Sequence, residues 1–289
     1  MNGLPQAGIP RPAQFARFAT LPTVWSNCLA AAWLAQGWQL DTWPEFLLAV
    51  HWPQFLLVLT GSSLVLTGWE AARGRTQVPA DTAGSSFSRP NWVVLAGSLL
   101  IAVTGRTPAM LAVVLLALAS GDLLLPRASP FGPCFRGLAR VSIYLAAAAT
   151  TVDGISGWPI WGGVVMAAFV VGLEFVVRQQ ELQQPLEPAP LLLLVSPLVL
   201  AWVMNNGTYR MPALLLSAVL VLWLARGLRQ LFWPAAGKPA MARVELLPAI
   251  VLVDWLAVAD APRTSGLLFL PLFLAAFGLC QALRARTGG

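Results

Sequence analysis

The sequence predicts an all-α fold, a polytopic integral membrane bundle of nine or ten transmembrane helices forming one domain over 1–289. Three observations predict it. Hydrophobic residues make up 57% of the chain and charged residues only 10%, whereas soluble domains carry about 25% charged residues. Ten apolar runs follow one another, punctuated by proline and glycine. Alternating the connections between two sides puts 15 of the 18 basic residues on one side and leaves only Arg106, Arg210 and Arg263 on the other. Lys and Arg are retained on the cytoplasmic side during insertion. Both termini are therefore expected in the cytoplasm, with the bundle in the cell (inner) membrane.

The runs, in order, are 12–36, 46–69, 91–105, 108–125, 134–152, 158–177, 190–204, 212–233, 244–259 and 266–283. Those at 91–105 and 190–204 are short for a hydrocarbon core, which leaves nine as the alternative count. Residues 1–11 are expected to be a flexible lead-in, and they lack the charged and apolar regions of a cleavable signal. Pro197, Pro248 and Pro271 fall inside runs and mark expected kinks. Eight of the 13 tryptophans lie near run ends, as an interfacial belt requires. The net charge of +6 reads as topology, not as a nucleic-acid surface. Cys28, Cys134 and Cys280 are too scattered for a disulfide framework or a zinc site. No Walker loop, nucleophile elbow or HExxH sequence is present.

Ionisable residues at membrane depth are costly and mark candidate sites. Arg136 and Arg140 stand i, i+4 on one helical face. They either snorkel or pair with Asp122, or they form an anion-binding face. Asp122 reads as a partner for Arg127 or Arg140, or as a cavity carboxylate. Glu174, Arg178 and Glu181 read as a self-neutralising ladder, with metal binding at Glu181 the alternative. Asp254 lies about 13 Å along its helix from Glu245 at 1.5 Å per residue. It must find a partner or water, either between helices or in a cavity. Asn27 in the first run is a further cavity candidate, and His51 beside Trp52 reads as interfacial.

Several segments carry a resemblance. Arg17-Phe18-Ala19-Thr20-Leu21-Pro22 opens the first run, Arg89-Pro90 opens the third, and Gly132 to Arg140 leads into the fifth. In this order they resemble the UbiA superfamily of intramembrane prenyltransferases, in a divergent, EboC-like form that Arg178, Glu181 and Leu252-Val253-Asp254 also resemble. The resemblance implies transfer of a prenyl group from a prenyl diphosphate to an aromatic or other small acceptor. It also implies Mg²⁺ held by Asp-rich motifs, N-D-x-x-D-x-x-x-D and D-x-x-x-D, that bridge the diphosphate. At the corresponding positions this chain has Glu70 and Asp81, then Glu181, and neither full motif. Those three are the metal candidates; Arg89, Arg136, Arg140 and Arg178 are the diphosphate candidates. Three functions follow: a prenyltransferase, a non-catalytic isoprenoid or lipid carrier or assembly partner, and, last, a small-molecule transporter motivated by Asp254. Each has membrane lipid as a partner and none needs nucleic acid.

Overall fold

A computed structural model describes residues 19–37, 43–75, 89–126, 129–182, 187–204, 210–232, 239–259 and 263–287. Within them the chain is all-helical. The helices are α1 (Leu21–Ala35), α2 (Trp43–Ala49), α3 (Trp52–Arg75), α4 (Arg89–Ala102), α5 (Arg106–Leu124), α6 (Phe131–Ala148), α7 (Gly157–Glu181), α8 (Pro188–Met204), α9 (Arg210–Phe232), α10 (Pro239–Ala257) and α11 (Arg263–Thr287). Every helix but α11 has a proline within its first three positions. There the missing N–H costs nothing and φ is already set for a helix. The same prolines cannot continue a preceding helix, so they divide the apolar sequence into elements.

Each apolar run contains a helix. Ends shift by a few residues, as at α10, which begins at Pro239 rather than 244, and at α7, which runs on to Glu181 rather than 177; the run 46–69 is also broken at Val50-His51 into α2 and α3. Val50 forms an isolated bridge with Thr151, where the His51 amide donates to the Thr150 carbonyl and the Val152 amide to the Ala49 carbonyl, both at 3.0 Å. Pro53 then starts α3. Helices α8, α10 and α11 run through Pro197, Pro248 and Pro271.

Five helices, α3, α5, α7, α9 and α11, contain segments long and apolar enough to cross a membrane. Helices α4 and α8 are apolar but shorter. Two others are central. Twelve of the 15 residues of α1 are buried, and in α10 the nine consecutive residues 246–254 are buried on all sides. Helix α1 packs against α3, α6, α7, α10 and α11. By contrast α8, α9 and α11 show large apolar side chains outward, among them Leu192, Trp202, Leu222 and Leu267.

Apolar side chains gain little by leaving lipid for a protein neighbour, so close packing must hold such helices together. The α3–α4 hairpin shows how. A Cβ at Gly97 would stand 2.5 Å from the Gly61 carbonyl oxygen, and one at Gly61 would stand 2.6 Å from that of Gly97. Only glycine at both positions lets the backbones meet. Gly97→Leu is expected to separate the pair and cost about 1–3 kcal/mol, read as a lower midpoint in detergent unfolding; an unchanged midpoint would show that the hairpin is not packed here.

Candidate functional site

Two buried polar clusters occupy the bundle. The first joins the central helices α1, α6 and α10 around Asp254, whose side chain is fully buried. Ser26 Oγ and Asn27 Nδ2 each donate to Asp254 Oδ2 at 2.6 Å, and the Tyr144 hydroxyl donates to Oδ1. Asn27 then turns its carbonyl oxygen to Arg140, which donates from Nη1 at 2.6 Å and reaches Thr23 Oγ1 from Nη2 at 3.1 Å. The Thr23 hydroxyl in turn donates to the Thr20 carbonyl at 2.7 Å. One amide side chain thus links a buried carboxylate to a buried guanidinium.

Helical spacing assembles this set. Thr23, Ser26 and Asn27 follow i, i+3, i+4 on α1, while Arg140 and Tyr144 follow i, i+4 on α6. Asn27, Arg140 and Asp254, separate candidates in the sequence, belong to one network. Asp254 serves between helices: it is enclosed and holds three donors.

The second cluster lies where the C-terminal parts of α3, α5 and α7 meet the first turns of α6. Asp122 has no exposed side-chain surface and is engaged by Arg73. Trp69 Nε1 donates to its Oδ2 at 2.8 Å, and Arg136 Nε approaches the same oxygen to 3.9 Å. Arg136 also holds Glu174. Gly132 permits this convergence, because a Cβ there would stand 2.9 Å from Asp122 Oδ1. That oxygen is buried and has no hydrogen-bond partner among the described residues. Glu70 interacts electrostatically with both Arg73 and Arg140, one from each cluster.

Several expected pairings are corrected. Asp122 pairs with Arg73 and, as one reading expected, with Arg136, but not with Arg140, and Arg127 lies outside the described residues. Glu174, Arg178 and Glu181 do not act as one ladder. Glu174 goes across to Arg136 on α6, Arg178 Nη1 donates to the Ser129 carbonyl at 2.5 Å, and Glu181 is exposed. For Glu174 the cause is that i, i+4 spacing makes neighbours on one helix, but a better-desolvated partner on the next helix gives the stronger ion pair. Of the diphosphate candidates, Arg136 pairs with Glu174 and lies near Asp122, Arg140 donates to Asn27 and Thr23, and Arg178 donates to the Ser129 carbonyl in the α5–α6 connection. The side chain of Arg89, all of Asp81 and residues 1–11 lie outside the described residues.

Among the described residues no three His, Cys, Asp or Glu side chains are grouped to hold a metal ion. Asp122 and Glu174 face guanidinium groups, and Glu181 is exposed and enters none of the ion pairs among the described residues. The described donors therefore do not fit the Mg²⁺ that the resemblance implies.

Sequence reasoning missed Thr23, Ser26, Trp69 and Tyr144 as members of these clusters. Spacing was the available signal: polar Thr23, Ser26 and Asn27 share a face in an otherwise apolar helix, and Tyr144 follows Arg140 by one turn. A third feature is apolar, a cavity of about 410 Å³ between α8 and α9, away from both clusters. Compared with known proteins, the chain matches no family model, no curated protein and no solved structure.

Proposed function

We propose that the chain is an integral inner-membrane protein of UbiA-like architecture, with ten spans and both termini in the cytoplasm. In this reading it binds an isoprenoid diphosphate or related lipid at the end of the bundle where Arg73, Arg136 and Arg178 gather. Apolar helices with outward-facing leucine and tryptophan support the membrane setting, and the 15-to-3 basic asymmetry supports its orientation. The short segments similar to UbiA proteins support the class of ligand.

One observation supports a carrier over an enzyme: the cluster carboxylates Asp122 and Glu174 already face arginines. A set of this kind offers cation rather than metal chemistry. Guanidinium forks match phosphate oxygens directly, so binding without Mg²⁺, by a carrier or assembly partner, is the function the geometry supports best. Prenyl transfer is the second reading. It is favoured by Glu70, which lies within electrostatic reach of Arg73 and Arg140 at the position similar to the family's first acidic motif.

The purified chain in lipid nanodiscs is expected to bind geranylgeranyl diphosphate equally with Mg²⁺ and with EDTA. Arg136→Lys, which keeps the charge but loses the fork, is expected to weaken binding about tenfold. Binding that requires Mg²⁺, or pyrophosphate release with an aromatic acceptor panel, would replace the carrier with the transferase. An absence of binding under both conditions would remove the isoprenoid reading altogether.

A further inference from the structure

The two polar clusters are joined along α6. Arg136 and Arg140 stand one turn apart on it and Tyr144 one turn further, so each step is about 6 Å along the axis. Arg136 belongs to the ion-pair cluster, where it holds Glu174. Arg140 donates to Asn27, and Asn27 and Tyr144 both donate to Asp254. Going inward from the ion-pair cluster, the order is therefore a cation at Arg140, the Asn27 amide, and an anion at Asp254.

That order makes a buried dipole with its positive end toward the ion-pair cluster. Arg140 and Asp254 are both buried, and salt screens buried charges much less than exposed ones. Close packing leaves little room for water beside the two arginines: a Cβ at Gly137 would stand 2.5 Å from Val171 Cγ2 and 2.9 Å from the Ala167 carbonyl oxygen. The cluster itself offers an anion little surplus charge, because Arg73 and Arg136 are met by Asp122 and Glu174. Glu70 acts on both Arg73 and Arg140, but it is only half-buried, where water weakens its field.

We propose that the Arg140–Asn27–Asp254 chain is a remote specificity element for the arginine cluster: its field selects an anionic diphosphate head over a neutral one without touching the ligand. The inference rests on diphosphate binding at that cluster, and it gives Arg140 an attracting part and Asp254 a restraining one. A unit charge about 10 Å from the ligand, at an effective dielectric constant of about 20, changes the affinity about tenfold. Asp254 lies deeper, so its opposing effect is smaller and the pair as a whole favours the anion.

The test measures binding of geranylgeranyl diphosphate, and of the uncharged alcohol geranylgeraniol, to the full chain in lipid nanodiscs. Arg140→Gln should weaken diphosphate binding about tenfold. Asp254→Asn should tighten it about threefold, and the double variant should fall between the two. Geranylgeraniol should bind the wild type and all three variants equally, which also reports that they are folded. A purely structural role predicts otherwise: both single variants would weaken both ligands, and that result would overturn the inference. Should Asp254→Asn fail to fold, Arg140→Lys decides, because it keeps the charge. Diphosphate affinity near the wild type in Arg140→Lys supports the field, whereas a loss equal to that of Arg140→Gln overturns it. Diphosphate binding that is unchanged in Arg140→Gln overturns this inference alone. An absence of diphosphate binding by the wild type overturns the isoprenoid reading, and this inference with it.

Discussion

Asp254→Ala is expected to be among the most destabilising single substitutions in the chain, at about 3–5 kcal/mol. The magnitude follows from what the carboxylate holds. Were Ser26, Asn27 and Tyr144 only ordinary interhelical donors, at about 0.6 kcal/mol each, their loss would cost about 2 kcal/mol. The larger figure comes from Arg140, which is 6% exposed and would keep its charge in the interior without the anion across Asn27. Total stabilities of about 5–15 kcal/mol make this a large share. The check is an unfolding midpoint in detergent for the wild type, Asp254→Ala, Arg140→Met and the double variant. If the carboxylate and the guanidinium compensate each other, the double variant will be more stable than the sum of the singles by about 0.5–3 kcal/mol. Simple additivity would mean that Asp254 is only a hydrogen-bond acceptor, and that Asn27 does not couple it to Arg140.

Helix positions were legible in the sequence for a local reason. Hydropathy and proline act over a few residues, so each of the ten runs contains a helix, and the prolines mark where helices begin. The split at Val50 carried a local signal in Pro53, which the run 46–69 passed over; what the sequence could not show is the bridge to Thr151, about a hundred residues away, that fixes the break. The order of burial was not legible either. A helix surrounded by protein and one surrounded by lipid have the same hydropathy, so nothing in 21–35 or 246–254 announces the centre of the bundle. Asn27, Arg140 and Asp254 stood out individually because charge and amide groups are rare at such depth. Their union required knowing that α1, α6 and α10 are neighbours. Asp122 shows the limit most clearly: helical spacing offers only partners on the same element or the next turn, whereas its actual partner, Arg73, comes from α3, 49 residues earlier.

Asp122→Ala is the second substitution expected to cost about 3–5 kcal/mol, and its variants distinguish a structural cluster from a binding site. Removing the carboxylate leaves Arg73 and Arg136 facing one another with Glu174 as the cluster's remaining ion-paired anion, and it strands the Trp69 N–H. Asp122→Asn retains an acceptor for Trp69 and should lose less. Arg73→Met should also lose less, because Arg136 still stands 3.9 Å from the Asp122 carboxylate. Combining Asp122→Leu with Arg73→Met replaces the buried pair by apolar side chains, which commonly restores stability or improves it. The decisive measurement therefore joins unfolding to ligand binding. A stable double variant that still binds geranylgeranyl diphosphate would make the Arg73–Asp122 pair a helix-to-helix tie with no part in recognition. A stable double variant that has lost binding would assign the guanidinium of Arg73 to the ligand, because fold and charge would then have been separated at one position.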